Sequence, residues 1–233
     1  MLISHRHQFI YTKTVKTAGT SVESYFERFC VADGEWQPLH LREASETTAG
    51  IIGYRGSEPL DGRRWYNHMP AAQIKAQIGD DIWNRYFKFC VIRNPFEKAL
   101  SAFAHFGKNH QLPRGPSGLW FRLKHSSCGA EQLRFLHWLT HHGPPMDRDK
   151  FVLDSKLCVD DFLRYESLST DMERICARLG VPWEPALLPE FKSGIRSKDC
   201  TAAQLYTPHA IALVAKVYAF ELTTFGYQAP RPA

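Results

Sequence analysis

Three short runs of apolar and aromatic residues are each followed by a helical pattern, and this order constrains the fold more than any other feature. The runs lie near residues 8–12, in YFKFCVI at 86–92 and in DDFLRYES at 160–167, and the helical patterns follow near 19–30, 96–106 and 168–180. Parallel neighbouring strands need a crossover connection, which is usually a helix. The alternation therefore predicts an α/β fold with a mostly parallel central sheet flanked by helices.

The rest of the chain consists of two long irregular stretches and further helices. Loops are predicted at residues 33–66, which are rich in Gly, Pro and charge, and in the basic stretch 107–127. Helices are predicted in AAQIKAQIG at 71–79, which Gly79 closes, in EQLRFLHWLTHH at 131–142 and in 207–227. No repeat or low-complexity segment marks a boundary, so residues 1–233 are interpreted as a single domain.

The composition is ordinary for a soluble protein, with 44% hydrophobic and 23% charged residues. A net charge of +5 suits anionic partners such as nucleotides, acidic glycans or nucleic acid, although a slightly basic solvated surface explains it equally well. No run approaches the roughly 18 apolar residues of a membrane span, and the first residues contain no apolar run of signal-peptide length. We therefore expect a cytoplasmic chain without a membrane span.

The cysteines and histidines do not form a metal-binding pattern. The six cysteines are far apart and include no CxxC pair, and the HRH and HH pairs have no cysteine or carboxylate partner at ligand spacing. Cys90 and Cys176 fall in apolar runs, which predicts buried thiols in a reducing compartment. No metal is expected.

The stretch FIYTKTVKTAGTS, residues 9–21, reads as an apolar strand that enters a turn of small residues and then a helix. Backbone N–H groups and the dipole at a helix N-terminus favour an anion, and Lys16 adds a mobile positive charge. The predicted anion-binding residues are Lys16, Thr17, Ala18, Gly19, Thr20 and Ser21. The stretch lacks the GxxxxGK(S/T) pattern of ATP and GTP sites, and an ordinary Ser/Thr-capped turn is the alternative.

A second stretch, VIRNPFEKALS, follows the predicted central strand. Arg93 leaves the end of that strand, and Ser101 lies two turns into the next helix. Ligands bind at the carboxyl ends of strands in α/β sheets, and an arginine with a hydroxyl suits a terminal phosphate. Alternatively, Arg93 is a capping residue that pairs with Glu97.

Together, KTAGTS and the later RNPxxxxxS resemble the sulfotransferase superfamily, and DDFLRYESLSTDMERICARLGVP and the final FGY extend the resemblance. The resemblance implies a P-loop NTPase-like three-layer fold, 3′-phosphoadenosine 5′-phosphosulfate (PAPS) as co-substrate and adenosine 3′,5′-bisphosphate (PAP) as product. It assigns residues 16–21 to the 5′-phosphosulfate, and Arg93 and Ser101 to the 3′-phosphate.

Within the superfamily, KTAGTS resembles the carbohydrate-modifying branch that includes heparan and uronyl 2-O-sulfotransferases. Two positions depart from the family pattern. The first loop usually has proline where this chain has Val15, and the second motif usually has a further arginine where this chain has Lys98. Because small-residue chemistry in the loop and charge in the second motif are kept, both departures are mild.

The resemblance also implies the chemistry of the two predicted catalytic residues. Lys16 would stabilise the oxygen that leaves sulfur, and a base would take the proton of the acceptor hydroxyl. Imidazole is matched to neutral pH, and in the 2-O-sulfotransferase branch a histidine placed like His68 serves as base. His105 and Glu23 are alternatives.

Two further basic clusters accompany these motifs. Arg196, in KSGIRSK, corresponds to a loop that in the family often closes over the cofactor, and a solvated basic loop is the alternative. Arg114, Arg122, Lys124 and His125 are interleaved with Trp120 and Phe121, which suits an acidic sugar chain or the acceptor ring. An ordinary exposed loop explains this second cluster almost as well.

The sequence thus predicts a sulfotransferase that acts on a hydroxyl of a carbohydrate, with no nucleic-acid partner. Two rivals stay open: an ATP-dependent P-loop phosphotransferase, and a non-enzymatic basic module that binds nucleic acid or sulfated glycan. The absence of the GxxxxGK(S/T) string and of a clear Mg²⁺-binding Asp argues against the first. The acceptor and the oligomeric state do not follow from the sequence.

Overall fold

The structure, a computed structural model, describes residues 1–60, 62–191 and 202–230. The chain divides into two compact units. The first unit comprises Met1–Ile92 and Asp147–Phe191, and the second comprises Arg93–Met146 and Lys192–Ala233. A single domain over 1–233 stays a prediction.

The first unit is built on a six-stranded sheet. Its strands are β1 (Leu2–Ser4), β2 (Phe9–Thr12), β3 (Ser45–Glu46), β4 (Gly50–Ile52), β5 (Phe87–Ile92) and β8 (Asp161–Arg164). Their order across the sheet is β3-β4-β1-β2-β5-β8. The pairs β2/β5 and β5/β8 are parallel, whereas β1/β2, β1/β4 and β3/β4 are antiparallel. A separate hairpin pairs β6 (Val152–Leu153) with β7 (Lys156–Leu157).

The sheet is therefore mixed rather than mostly parallel. Leu2 lies opposite both Tyr11 and Ile52, so the first residues of the chain fill the place between β2 and β4. Residues 33–66, predicted to be irregular, contribute β3 and β4 to the sheet edge. Two-residue and three-residue strands carry too little alternation to be recognised in a sequence, and they are defined by pairing, β4 with β1 and β3 with β4.

Helices cover both faces of this sheet. They are α1 (Gly19–Glu27), α2 (Ala71–Arg85) and α6 (Leu168–Leu179). Phe9 and Tyr11 face the core shared with α1 and α6, whereas Ile10 faces the core shared with α2, as the period of two along a strand requires. An α/β unit with a sheet between helices is thus confirmed. Gly79, with φ of 81°, ends the predicted helix, and a second helical segment continues to Arg85.

The second unit is helical. Its helices are α3 (Pro95–Phe106), α4 (Pro116–Lys124), α5 (Ala130–His141), α7 (Ala202–Leu205), α8 (Pro208–Val217) and α9 (Ala219–Phe225). A shared apolar core joins α3, α5, α7 and α8. The predicted loop at 107–127 contains α4, and the predicted final helix is divided at Tyr218, whose buried hydroxyl donates to the Pro145 carbonyl at 2.6 Å.

Buried thiols occur where they were predicted, at Cys90 and Cys176. Within the described ranges, no helix is both long enough and apolar enough to cross a membrane.

Four charged side chains are buried together in the first unit: Lys13, Glu23, Glu27 and Arg55. Lys13 Nζ lies 2.8 Å from Glu23, and Arg55 contacts both glutamates at 2.5 Å. Burial by itself opposes ionisation, but the charges of Lys13, the Met1 amino group and Arg55 hold the pKa of Glu23 well below its usual range. Arg55 also donates to the carbonyls of Leu39 and His40, which fixes the segment before β3.

Replacing Arg55 by Met should lower the free energy of unfolding by about 3–5 kcal/mol, because it leaves two buried carboxylates without their shared cation. Chemical denaturation measures the change. Lys75→Met is the control, because its pair with Asp80 is exposed and contributes less than about 1 kcal/mol. Similar losses of unfolding free energy in the two variants would show that the buried cluster stabilises the protein no more than an exposed ion pair does.

Candidate active site

The loop at residues 13–18 joins β2 to α1, at the edge of the sheet where β2 and β5 end. These two strands are parallel neighbours, so their carboxyl ends lie side by side. The hydroxyl of Thr14 donates to the Val91 carbonyl in β5, which ties the loop to the neighbouring strand. The loop thus occupies the place where open α/β sheets bind their ligands.

The loop backbone bends so that successive N–H groups can converge on one point. Lys16 and Ala18 both have left-handed dihedrals, with φ of 60° and 59°, on either side of Thr17. Ala18 is the N-cap of α1 and has no side chain that could cap the helix. Ser21 and Val22 both donate to the Ala18 carbonyl, whereas the first N–H groups of a helix have no acceptor within it. Left-handed residues of this kind occur in the backbone concavities, called nests, in which N–H groups bind anions in other proteins.

Gly19 is required by the packing below the loop. A Cβ atom at this position would lie 3.0 Å from Lys13 Cγ and 3.1 Å from the Thr14 carbonyl oxygen. Neither neighbour has room to withdraw easily, because the carbonyl is backbone and Lys13 is buried. Gly19 therefore allows the loop to close over the Lys13 side chain.

The two lysines of the loop have different environments. The Lys13 side chain is 2% exposed, and its ammonium group contacts Glu23 at 2.8 Å and Thr20 Oγ1 at 3.2 Å. Burial and the nearby Arg55 charge lower the pKa of Lys13, although Glu23 opposes this. Lys16, in contrast, is half-buried. Lys13 is thus a structural cation, and Lys16 is the lysine of this loop whose side chain reaches the surface.

The hydroxyl groups of the loop also differ in their roles. Thr17 Oγ1 lies 2.8 Å from Thr14 Oγ1 and donates to the Thr14 carbonyl at 3.3 Å, so this hydroxyl is used within the loop. Thr20 and Ser21 accept hydrogen bonds, from Lys13 and from the Phe191 N–H respectively. An accepting hydroxyl keeps its own hydrogen, which can point to an anion.

His68 lies against the start of this loop. Its Nδ1 is 3.2 Å from the Lys13 carbonyl oxygen, and because a carbonyl can only accept, Nδ1 carries the proton and Nε2 has a free lone pair in the neutral ring. Burial and the positive charge of Lys13 lower the pKa of His68 to about 3, so the ring is neutral at pH 7. His68 also has a positive φ of 57°, a strained conformation of the kind found at functional sites.

The sequence gives two alternatives to His68 as the base, Glu23 and His105. Glu23 is fully buried and ion-paired, so it cannot reach the hydroxyl of an acceptor. His105 is exposed on α3 in the second unit and stays an alternative.

Asp147 contacts the loop and was not predicted from the sequence. Its side chain is buried, and its Oδ2 accepts a hydrogen bond of 2.6 Å from the Val15 N–H. Proline has no N–H, so this contact requires a residue other than the proline that related loops favour. The departure at Val15 therefore has a structural reason. No pattern could reveal it, because 132 residues separate the two partners.

The second motif begins α3. Asn94 caps this helix by accepting from the Phe96 N–H at 3.0 Å, and Pro95 occupies its first turn. The Arg93 guanidinium lies 3.8 Å from the Glu97 carboxylate, longer than the roughly 2.7–2.9 Å of a strong charged hydrogen bond. Ser101 is one turn beyond Glu97 on the same helix face.

The remaining basic positions are spread over the second unit. The buried Lys98 places its ammonium group 5.5 Å from the centroid of the Tyr218 ring, a cation–π arrangement. Arg122 and Lys124 are exposed on α4. Arg196 lies outside the described residues.

Comparison with known proteins identifies the class of this protein. The model of the Sulfotransferase family matches residues 1–228, so the chain belongs to this family and is an enzyme that transfers a sulfuryl group. Over 120 residues the chain is 28% identical to an uncharacterized protein of Archaeoglobus fulgidus, a match that covers 50% of this chain and 86% of that protein. No solved structure matches this chain.

Val15→Pro should weaken the loop, because it leaves the buried Asp147 carboxylate without its N–H donor at a cost of about 1–3 kcal/mol. Chemical denaturation measures the change in stability. Val15→Ala keeps the N–H and is the control. Equal behaviour of the two variants would show that the hydrogen bond contributes nothing, and a double-mutant cycle with Asp147→Leu isolates its coupling energy.

Proposed function

We propose that this sulfotransferase uses PAPS as its donor and that the loop at 13–21 binds the 5′-phosphosulfate. The observation that carries this proposal is the strained loop at the end of β2, with the half-buried Lys16 and with His68 hydrogen-bonded to the Lys13 carbonyl. The family generally uses this donor, and a P-loop NTPase-like arrangement is part of the same proposal.

The donor set of the loop fits a sulfated phosphate. It offers converging N–H groups, the start of a helix dipole, the Thr20 and Ser21 hydroxyl hydrogens and the Lys16 ammonium group. The charge of Lys13 is already neutralised by Glu23, so it adds little to this set. For the 3′-phosphate we assign Arg93 and Ser101, because Arg93 directly follows the carboxyl end of β5, Ser101 lies on α3, and a guanidinium with a hydroxyl suits a terminal phosphate.

In the proposed reaction, the acceptor oxygen would form a bond to the sulfur of bound PAPS while the bond from that sulfur to the bridging phosphate oxygen breaks, which would release PAP. Lys16 holds positive charge where negative charge grows on that oxygen, which favours the transition state over the ground state. His68 takes the proton of the acceptor hydroxyl at Nε2, while its Nδ1–H bond to the Lys13 carbonyl fixes the ring.

The neutral state of His68 suits this role, since a protonated ring could not accept a proton. Its low pKa makes it a weak base in the free enzyme. A bound polyanion near the ring would favour the imidazolium and raise that pKa towards neutrality. Binding of the donor would thereby prepare the base.

The proposed acceptor is a hydroxyl of a carbohydrate. Support comes from the resemblance of KTAGTS to the carbohydrate-modifying branch. A screen of sugars and phenols with labelled donor tests this part of the proposal independently of the nucleotide.

PAP should raise the melting temperature of the protein more than ATP or 5′-AMP at equal concentrations, because only PAP carries the 3′-phosphate. Arg93→Ala should remove most of this selectivity, whereas Arg122→Ala, an exposed arginine on α4, should leave it unchanged. Equal shifts for the three nucleotides in the wild-type protein would refute the assignment of Arg93 and Ser101.

Lys16→Ala and His68→Ala should each lower kcat by about a hundredfold or more, which corresponds to roughly 3 kcal/mol of lost transition-state stabilisation, while PAP binding stays measurable. Single-turnover transfer of labelled sulfate measures the loss. His105→Ala and Lys75→Ala serve as controls for the base and for the cation. A fully active His68→Ala variant would assign the base to another residue.

A further inference from the structure

The second unit contains a cleft between α4, α5 and α8, with a volume of about 980 Å³. None of its lining residues belongs to the loop at 13–21 or to the motif that begins at Arg93. A cleft of this size accommodates a small organic molecule. We call it the α4 cleft.

Flat apolar surfaces form one part of the α4 cleft. Trp120 lines it although its side chain is 62% exposed, and Phe121 lies beside it on the same helix. The Phe121 ring is 4.8 Å from the His125 ring and 5.0 Å from the His137 ring, so these side chains support one another. An exposed indole in a cleft offers stacking area at a low cost in side-chain entropy.

Imidazole groups form the polar part of the cleft. Nδ1 of His137 is 2.8 Å from Nε2 of His110, and Nδ1 of His141 is 2.9 Å from the His137 carbonyl. These bonds use the Nδ1 atoms of His137 and His141, which makes their Nε2 atoms the ring nitrogens that a ligand would meet. Burial, followed by the charges of neighbouring histidines, lowers the pKa of His137 to about 4, so this ring is neutral at pH 7.

Charge in the α4 cleft is provided by lysine. Lys124 lines the cleft, and its ammonium group lies 5.1 Å from the centroid of the Trp120 ring. No carboxylate occurs among the described lining residues. The segment 107–130 contains two lysines, two arginines and no Asp or Glu. An anion is therefore favoured over a neutral or cationic ligand.

The histidines of this region do not indicate a metal site. In the described part of the chain, no group of three or more His, Cys, Asp or Glu side chains is placed to hold a metal ion. The stacked rings of His137 and His141, 3.8 Å apart, present parallel faces instead of converging nitrogen atoms.

We propose that the α4 cleft binds an organic anion with a flat ring system, such as an aryl sulfate or aryl carboxylate. The ring lies against Trp120, and the anionic group lies at Lys124. The imidazole Nε2 atoms hydrogen-bond to further polar groups of the ligand.

Calorimetric titration with three probes that share the naphthalene ring tests this site: 2-naphthyl sulfate, 2-naphthol and the trimethyl-2-naphthylammonium cation. The sulfate should bind at least tenfold more tightly than the alcohol, and the cation more weakly than both. Trp120→Ala should weaken sulfate binding at least tenfold, and Lys124→Gln should abolish the preference for sulfate over alcohol.

Two matched variants control for changes outside the cleft. Leu123→Ser alters an exposed apolar residue of α4, and Lys216→Gln removes an exposed cation of α8; neither residue lines the cleft, so both variants should bind the sulfate like the wild-type protein. Equal binding of sulfate and alcohol, or equal loss in Leu123→Ser and Trp120→Ala, would overturn the proposal.

PAP distinguishes this site from the proposed donor site, since it is itself an anion with a ring. Its affinity should be the same in Trp120→Ala and wild-type protein, while Arg93→Ala should weaken it. A tenfold loss of PAP affinity in Trp120→Ala would make the cleft part of the donor site and overturn a separate ligand site. If wild-type protein did not bind PAP at all, the proposed function would fail. The naphthyl probes would still decide whether the cleft binds an aromatic anion.

Discussion

The buried pair of Lys13 and Glu23 is the interaction on which the arrangement of the loop depends. A charge this far from water is tolerated only with a partner, and Glu23 on α1 provides it at 2.8 Å. The pair joins the end of β2 to the first helix, and the loop closes over the lysine stem because residue 19 has no side chain. Lys13 is thereby neutralised below the loop, whereas Lys16 is half-buried.

The loop and His68 also contain backbone dihedral angles that are energetically unfavourable. Positive φ at Lys16, Ala18 and His68 costs roughly 1–3 kcal/mol each and persists only where the surroundings fix it. Two hydrogen bonds fix the loop in this way: the Thr14 hydroxyl donates to the Val91 carbonyl, and the Val15 N–H donates to the Asp147 carboxylate. In the proposed donor site, such a loop would hold its N–H groups in place before the donor binds, so that less reorganisation would be needed during the reaction.

Burial keeps histidines neutral in both units, but with different chemical consequences. At His68, one hydrogen bond to a carbonyl selects the tautomer and leaves a single lone pair, which suits proton transfer. Around His137, several rings contact one another beside aromatic side chains, which suits binding rather than proton transfer. The sequence, with its eleven histidines, could not separate these two environments, because each depends on which group faces the ring.

The sequence by itself determined the strands β2, β5 and β8 and the helix that follows each of them, because these depend on neighbours along the chain. The tertiary structure decided the rest. It added β1 and β4 as antiparallel strands, placed His68 against the Lys13 carbonyl and distinguished the structural Lys13 from Lys16. It also explained why residue 15 is not proline, because the Val15 N–H donates to the Asp147 carboxylate. The physical reason is that these features rest on burial and on contacts between residues far apart in sequence, which no local pattern encodes.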